Sequence, residues 1–175
     1  MTGRPGVGKT TVFTKVVEDI RRHGYVVGGI VCPEFRVEGA RSGFKIVDIM
    51  EGVEGWLART SPNCPNDLRV GKYCINVNDA VSIGVKALTN AAINADVICI
   101  DEIGPMELKV KQLRDAIIYV LRNPKNVLAV THWRLSDSEV GELLRNAVRY
   151  EVTLVNRNSL PSIVASKLLG SLGRE

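Results

Sequence analysis

Gly3-Arg4-Pro5-Gly6-Val7-Gly8-Lys9-Thr10 stands almost at the start of the sequence, with only Met1 and Thr2 before it. The stretch fits the pattern G-x-x-x-x-G-K-[ST], in which each residue type has a mechanical job. The glycines let the backbone wrap closely, so that several N–H groups point at phosphate oxygens. Lys9 adds a mobile positive charge, and Thr10 offers a hydroxyl to Mg²⁺. Such a loop normally hangs from the end of a buried strand. The residues for that strand are not in this sequence, so the N-terminal strand reads as missing and the start as placed downstream of the natural one.

Beyond the loop, Val12, Phe13, Val16, Val17 and Ile20 recur at helical spacing, with Lys15, Glu18, Asp19, Arg21 and Arg22 opposite. That is an amphipathic helix whose N-terminus faces the bound phosphates. Tyr25–Cys32 reads as a strand ended by Pro33. Residues 34–60 mix charged and apolar residues with glycines and read as a small antiparallel hairpin insertion, with strands near Phe44–Ile49 and Trp56–Ala58. Tyr73–Val77 reads as a strand, and Asn78 as the cap of a helix running to about Asn94. Val97–Ile100, Val127–Val130 and Tyr150–Val155 read as further strands. Helices are expected over Leu108–Arg122, over Ser138–Arg145, and after a Ser159 cap with Pro161 in the first turn. Strands alternating with helices make an α/β fold, a mainly parallel sheet covered on both faces in three layers. Ligands of such sheets bind beyond the carboxyl ends of the strands. Residues 32–34, 101–102, 131–132 and 156–158 should therefore meet on the rim that holds the loop.

The 175 residues make a single domain spanning 1–175, and 45% of them are apolar. No run is long enough to span a membrane, and no charged-then-apolar leader opens the chain, so a cytoplasmic protein is expected. A net charge of +4 without a Lys/Arg block suits a triphosphate ligand and gives no strong nucleic-acid signal. The sequence does not fix the oligomeric state; a monomer is the expectation. Cys32 and Cys99 lie in apolar runs as buried thiols. Cys64 and Cys74 make a poor zinc pattern, and neither a structural metal nor a disulfide is expected.

The second chemical signal is the apolar run that ends in Asp101-Glu102. Asp101 would hold Mg²⁺ directly or through water, as a Walker-B aspartate does. Glu102 would point beside the γ-phosphate, where a carboxylate can orient water and accept its proton. Thr131 and His132 end the next strand, as a phosphate sensor or as a surface loop. Arg4 and Arg134 are within plausible reach of phosphate charge, though a solvated arginine is the simpler reading of each. Asn156-Arg157-Asn158 sits where base or ribose often lies. Pro33-Glu34-Phe35-Arg36 is a switch-like segment or an ordinary turn, and Trp56 and Trp133 read as packing residues.

The sequence resembles the thermophile-type nucleoside-triphosphatase family of P-loop NTPases across essentially its whole length. The resemblance rests on Gly3–Thr11, Gly43-Phe44-Lys45-Ile46, Gly55-Trp56-Leu57-Ala58, Val70-Gly71-Lys72-Tyr73 with Asn76-Val77, Asn156-Arg157, and above all Asp101-Glu102-Ile103-Gly104-Pro105-Met106-Glu107-Leu108. It implies a RecA-like fold and slow, Mg²⁺-dependent hydrolysis of ATP, GTP and other nucleoside triphosphates to diphosphate and phosphate, with broad base selectivity. It also implies that the nucleotide contacts lie in Gly3, Arg4, Pro5, Gly6, Val7, Gly8, Lys9, Thr10 and Thr11, and in Val97, Ile98, Cys99, Ile100, Asp101, Glu102, Ile103 and Gly104. Asn158 departs from the family's Asn-Arg-Asp tail. The competing readings are a nucleotide or small-molecule kinase with residues 34–60 as acceptor lid, and a nucleotide-gated binding or motor protein.

Overall fold

The computed structural model describes residues 1–173. Helix α1 (Lys9–Arg22) leads into β1 (Val27–Val31), followed by β2 (Glu34–Val37), β3 (Ala40–Asp48), β4 (Glu54–Thr60), β5 (Arg69–Val70) and β6 (Tyr73–Ile75). The chain then turns helical through α2 (Val77–Asp79), a π-helical stretch over Ala80–Val85 and α3 (Lys86–Asn94). Strand β7 (Val97–Ile103), α4 (Pro105–Lys109), α5 (Lys111–Leu121), β8 (Asn126–Thr131), α6 (Ser138–Leu143) and α7 (Leu160–Leu172) complete it.

The strands form one sheet in the order β5-β6-β4-β3-β1-β7-β8, with β2 paired to β3. β1, β7 and β8 are parallel, whereas β3 meets β1 antiparallel and the rest continues as an antiparallel meander. The parallel part carries the phosphate loop, and the 34–60 region widens the sheet as three strands rather than two. Helices cover both faces. On one face α1 and α7 bury Val12, Phe13, Val16, Leu160 and Val164 against Val27, Val97, Cys99 and Val130. On the other, α3 and α5 bury Leu88, Ala91, Leu113 and Ile117 against Ile30, Ile46, Ile98 and Ile100. Two independent apolar faces explain why β7 reads as an unbroken apolar run rather than an alternating one.

Met1 and Thr2 occupy a strand position beyond β8. Thr131 N–H donates to the Met1 carbonyl (2.8 Å), and Thr2 bridges Glu151 in parallel. The expected strand over Tyr150–Val155 reduces to that bridge: Val152 is buried, but Leu154 and Val155 are 65% and 94% exposed. A strand needs a ladder partner, and among the described residues Thr2 alone pairs with this run. Two further boundaries differ from expectation. Asn76, not Asn78, caps the helix after β6, its side chain accepting from Asp79 N–H. The helix expected over Leu108–Arg122 starts earlier and breaks at Val110, because Gly104-Pro105 opens a separate short helix.

Cys64 and Cys74 form a disulfide, against the expectation that they would not. Pairing of Arg59 with Cys74 brings the β4–β6 loop back on itself, and the Arg69 guanidinium donates to the carbonyls of Ser61, Pro62 and Cys64. A spacing of ten is silent on this, since it depends on where the meander folds. Reduction is expected to lower unfolding free energy by about 2–3 kcal/mol, the scale for closing a short loop. Denaturant titration with and without dithiothreitol checks this; coincident curves would contradict it. Among the described residues, no helix is long and apolar enough to cross a membrane.

Candidate active site

The loop owes its shape to glycine. A Cβ at Gly3 would lie 2.6 Å from the Val152 carbonyl, so only glycine fits where the loop leaves the sheet. Gly8, at φ 99°, caps α1 without a side chain, and the first turn of that helix holds no acidic residue. Its N–H groups and positive dipole end therefore face an open position suited to an anion. Lys9 folds back over this position. Its Nζ lies 3.5 Å from the Arg4 carbonyl and 3.8 Å from Glu102 Oε2.

Asp101 stands near the C-terminal end of β7 and is 3% exposed. One carboxylate oxygen shares a hydrogen bond with the Thr10 side chain, while Oδ2 is buried without a partner. Burial pushes its pKa up to about 6, with the Thr10 contact pulling the other way. A hard carboxylate oxygen left unpartnered beside a threonine hydroxyl suits Mg²⁺, which takes few protein ligands and completes its shell with water and phosphate. Among the described residues no larger cluster of metal-ligating side chains forms. Glu102 is more open, and burial raises its pKa while Lys9 opposes the shift.

The rim forms as expected. Cys32 N–H donates to the Asp101 carbonyl (2.6 Å), and His132 N–H to the Ile103 carbonyl (3.0 Å). Arg157 lies over the loop, with Cδ 3.7 Å from the position a Cβ would take on Gly8. Asn156 holds it there. Its Oδ1 accepts from Thr153 N–H (2.9 Å) and its Nδ2 donates to the Glu151 carbonyl (2.8 Å), so both ends of the amide are engaged in the turn and not offered to a ligand. Asn158 is exposed.

The other expected contact residues differ widely in exposure. Val97, Ile98, Cys99, Ile100 and Ile103 are 0–1% exposed between the two helical layers; of the 97–104 segment, only Asp101, Glu102 and Gly104 stand at the rim. Within the loop, Val7 packs into the core beneath it, and Pro5 and Thr11 are exposed. Thr131 is tied to the Met1 carbonyl through N–H and hydroxyl, and His132 Nδ1 accepts from Arg134 N–H. The Arg134 guanidinium stacks 4.0 Å over Trp133, which is 42% exposed and not the packing residue expected. Trp56 takes Lys45 and Arg59 over its ring at 4.1 and 4.4 Å. Pro33–Arg36 runs into β2, where Glu34 pairs with Arg36 and Arg41.

The NTPase family pattern matches residues 1–165. The chain belongs to the NTPase family. Among similar NTPases, nucleoside-triphosphatase THEP1 of Hyperthermus butylicus is 44% identical over 99% of this chain and 92% of its own length. THEP1 of Sulfurisphaera tokodaii is 38% identical over 98% and 95%. The same fold recurs in the crystal structure of THEP1 from Aquifex aeolicus (TM-score 0.81, 33% identity, 95% and 96% coverage). A human cancer-related nucleoside triphosphatase matches as well (TM-score 0.81, 31% identity, 97% and 96% coverage).

Glu107 belongs to the Asp101–Leu108 stretch that carries the resemblance, but its burial has no sequence signal. Glu107 is 4% exposed, and its Oε2 accepts from Gly104 N–H (3.1 Å). Burial first, then Glu102 and Asp101, push its pKa up to about 8. A glutamate three residues after a helix start is an ordinary capping signal, so nothing in its spacing marks it as buried. Glu107 and Asp101 both hold protons in the folded state that the unfolded chain has lost. Their contribution to stability is therefore full below about pH 4 and falls as pH rises, through about 6 for Asp101 and about 8 for Glu107. Asp101→Asn removes the burden of ionising a buried carboxyl whose pKa stands at about 6 rather than 3.8. The variant is expected to be more stable than the parent at pH 7 by about 2–3 kcal/mol, since a tenfold change in proton affinity is worth ~1.4 kcal/mol, and nearly equal at pH 4. Urea titration in EDTA at both pH values measures this; a less stable variant at pH 7 would contradict it.

Proposed function

We propose that this chain hydrolyses nucleoside triphosphates to diphosphate and phosphate, with Mg²⁺, slowly and with little base preference. The observation that carries this reading is Glu102, 3.8 Å from Lys9 Nζ at the uncapped start of α1. A carboxylate there lies beside the terminal phosphate of any nucleotide held by the loop. The names of the relatives agree with it.

The loop amides and Lys9 hold the phosphates and oppose the charge that grows in the transition state. Glu102 orients water and takes its proton as the water oxygen bonds to the γ-phosphorus. The bond from that phosphorus to the β–γ bridging oxygen breaks, and the diphosphate leaves with that oxygen. Burial raises the pKa of Glu102, which makes its carboxylate a stronger base than a solvated one. Thr10 and Asp101 would hold Mg²⁺, which when bound neutralises charge on the β- and γ-oxygens. Arg4 is exposed, so its help is not pre-organised, which fits slow turnover. An exposed guanidinium beside the loop offers a stacking plane and no fixed base-reading amide, which fits broad selectivity. The proposed compartment is the cytoplasm.

Phosphate release from ATP, GTP, CTP and UTP tests this. The expected kcat/KM values lie within about 10-fold of one another, since the Asn156 amide beside Arg157 is engaged in its own turn. EDTA should abolish release. Preference for one base by ~10⁴-fold would reveal a dedicated polar pocket. Transfer to an added acceptor without free phosphate would make the protein a kinase.

A further inference from the structure

Glu107 lies behind the site rather than in it, yet it touches the segment that aims Glu102. The backbone between them is fixed at several points. Gly104 N–H donates to Glu107 Oε2 (3.1 Å), the Gly104 carbonyl accepts from Leu108 N–H (3.0 Å), and the Ile103 carbonyl accepts from His132 N–H (3.0 Å). The two carboxyl groups also share one small space. A Cβ built on Gly104 would meet Glu102 Oε1 at 3.1 Å and Glu107 Oε2 at 3.2 Å. Glu107 further hydrogen-bonds the side chain of Cys32, the residue just after β1, whose N–H holds the Asp101 carbonyl.

We propose that Glu107 is a positioning residue, whose buried carboxyl fixes the Ile103–Gly104 turn and so the direction of the Glu102 carboxylate. The proposal rests on Glu102 acting as the base. A buried glutamate is otherwise an unfavourable choice, because an apolar side chain of similar volume carries no desolvation cost. Its neighbours show what it supplies: an acceptor for the Gly104 N–H in a place water does not reach. Small displacements of a reacting group are costly to rate while leaving affinity alone.

Three variants and the parent test this by phosphate release and by binding of a fluorescent nucleotide analogue. Glu107→Gln keeps an acceptor for Gly104 N–H and should hold kcat within about threefold of the parent. Glu107→Met removes the acceptor and should lower kcat at least ~10-fold. Its KM and analogue affinity should stay within about threefold, because the phosphate loop is untouched. Gly104→Ala keeps Glu107 but fills the shared space. It should lower kcat by about 3- to 10-fold with the same unchanged affinity. Should Glu107→Met fail to fold, Glu107→Leu, which also lacks the acceptor, takes its place with the same expected loss. Parental kcat in Glu107→Met overturns the proposal, as does a kcat loss in Glu107→Met that Glu107→Gln shares. A parent that releases no phosphate from any triphosphate refutes the hydrolase reading instead, so the two failures are distinct.

Discussion

Glu102→Gln is expected to slow phosphate release at least ~10²-fold, the scale of a single general base, while triphosphate binding stays intact. Glutamine has the same shape and keeps an oxygen that can orient water, but it cannot take a proton. Binding should not suffer, because the change removes a negative charge 3.8 Å from Lys9 Nζ, next to the place where phosphate charge must sit. Affinity for a triphosphate is expected to be equal or tighter. Single-turnover phosphate release, with analogue titration on the same samples, separates the two effects. Equal turnover in parent and variant would remove Glu102 from the chemistry.

Lys9→Ala is expected to lower kcat by about 10²–10³-fold, the usual cost of removing one pre-organised charge-stabilising group. It should also raise KM, since Lys9 meets phosphate in the ground state as well as the transition state. Lys9→Arg should not rescue it. The Lys9 side chain is only 12% exposed and already reaches the Arg4 carbonyl, so a wide planar guanidinium has no room to replace a compact ammonium. Steady-state kinetics of the three proteins are the check. A Lys9→Ala variant with parental kcat would mean that the loop amides alone carry the phosphate.

The local parts of this protein are legible in its sequence because local chemistry fixes them. Gly8-Lys9-Thr10 announces an uncapped helix start, and the apolar run into Asp101 announces a strand end at the same rim. Together they bring Lys9, Thr10, Asp101 and Glu102 within reach of one another, as the folded chain does. What is not legible depends on partners distant in sequence. The Tyr150–Val155 run alternates like a strand, but among the described residues it pairs with Thr2 alone. Cys64 and Cys74 join because β4 pairs with β6, which no spacing rule expresses. Asn156 has the look of a ligand residue, yet the turn it closes takes both ends of its amide. Glu107 is the converse: its spacing gives no sign of burial, yet it is only 4% exposed.

The central claim is that water, activated beside Lys9 and Glu102, takes the terminal phosphate of a nucleoside triphosphate. Turnover of GTP in oxygen-18 water, with Mg²⁺ and without any acceptor, tests it most directly. The predicted result is free phosphate carrying one solvent oxygen, GDP carrying none, and the same labelling at a far lower rate with Glu102→Gln. Unlabelled phosphate, label in the GDP, or no phosphate release by the parent protein would contradict it.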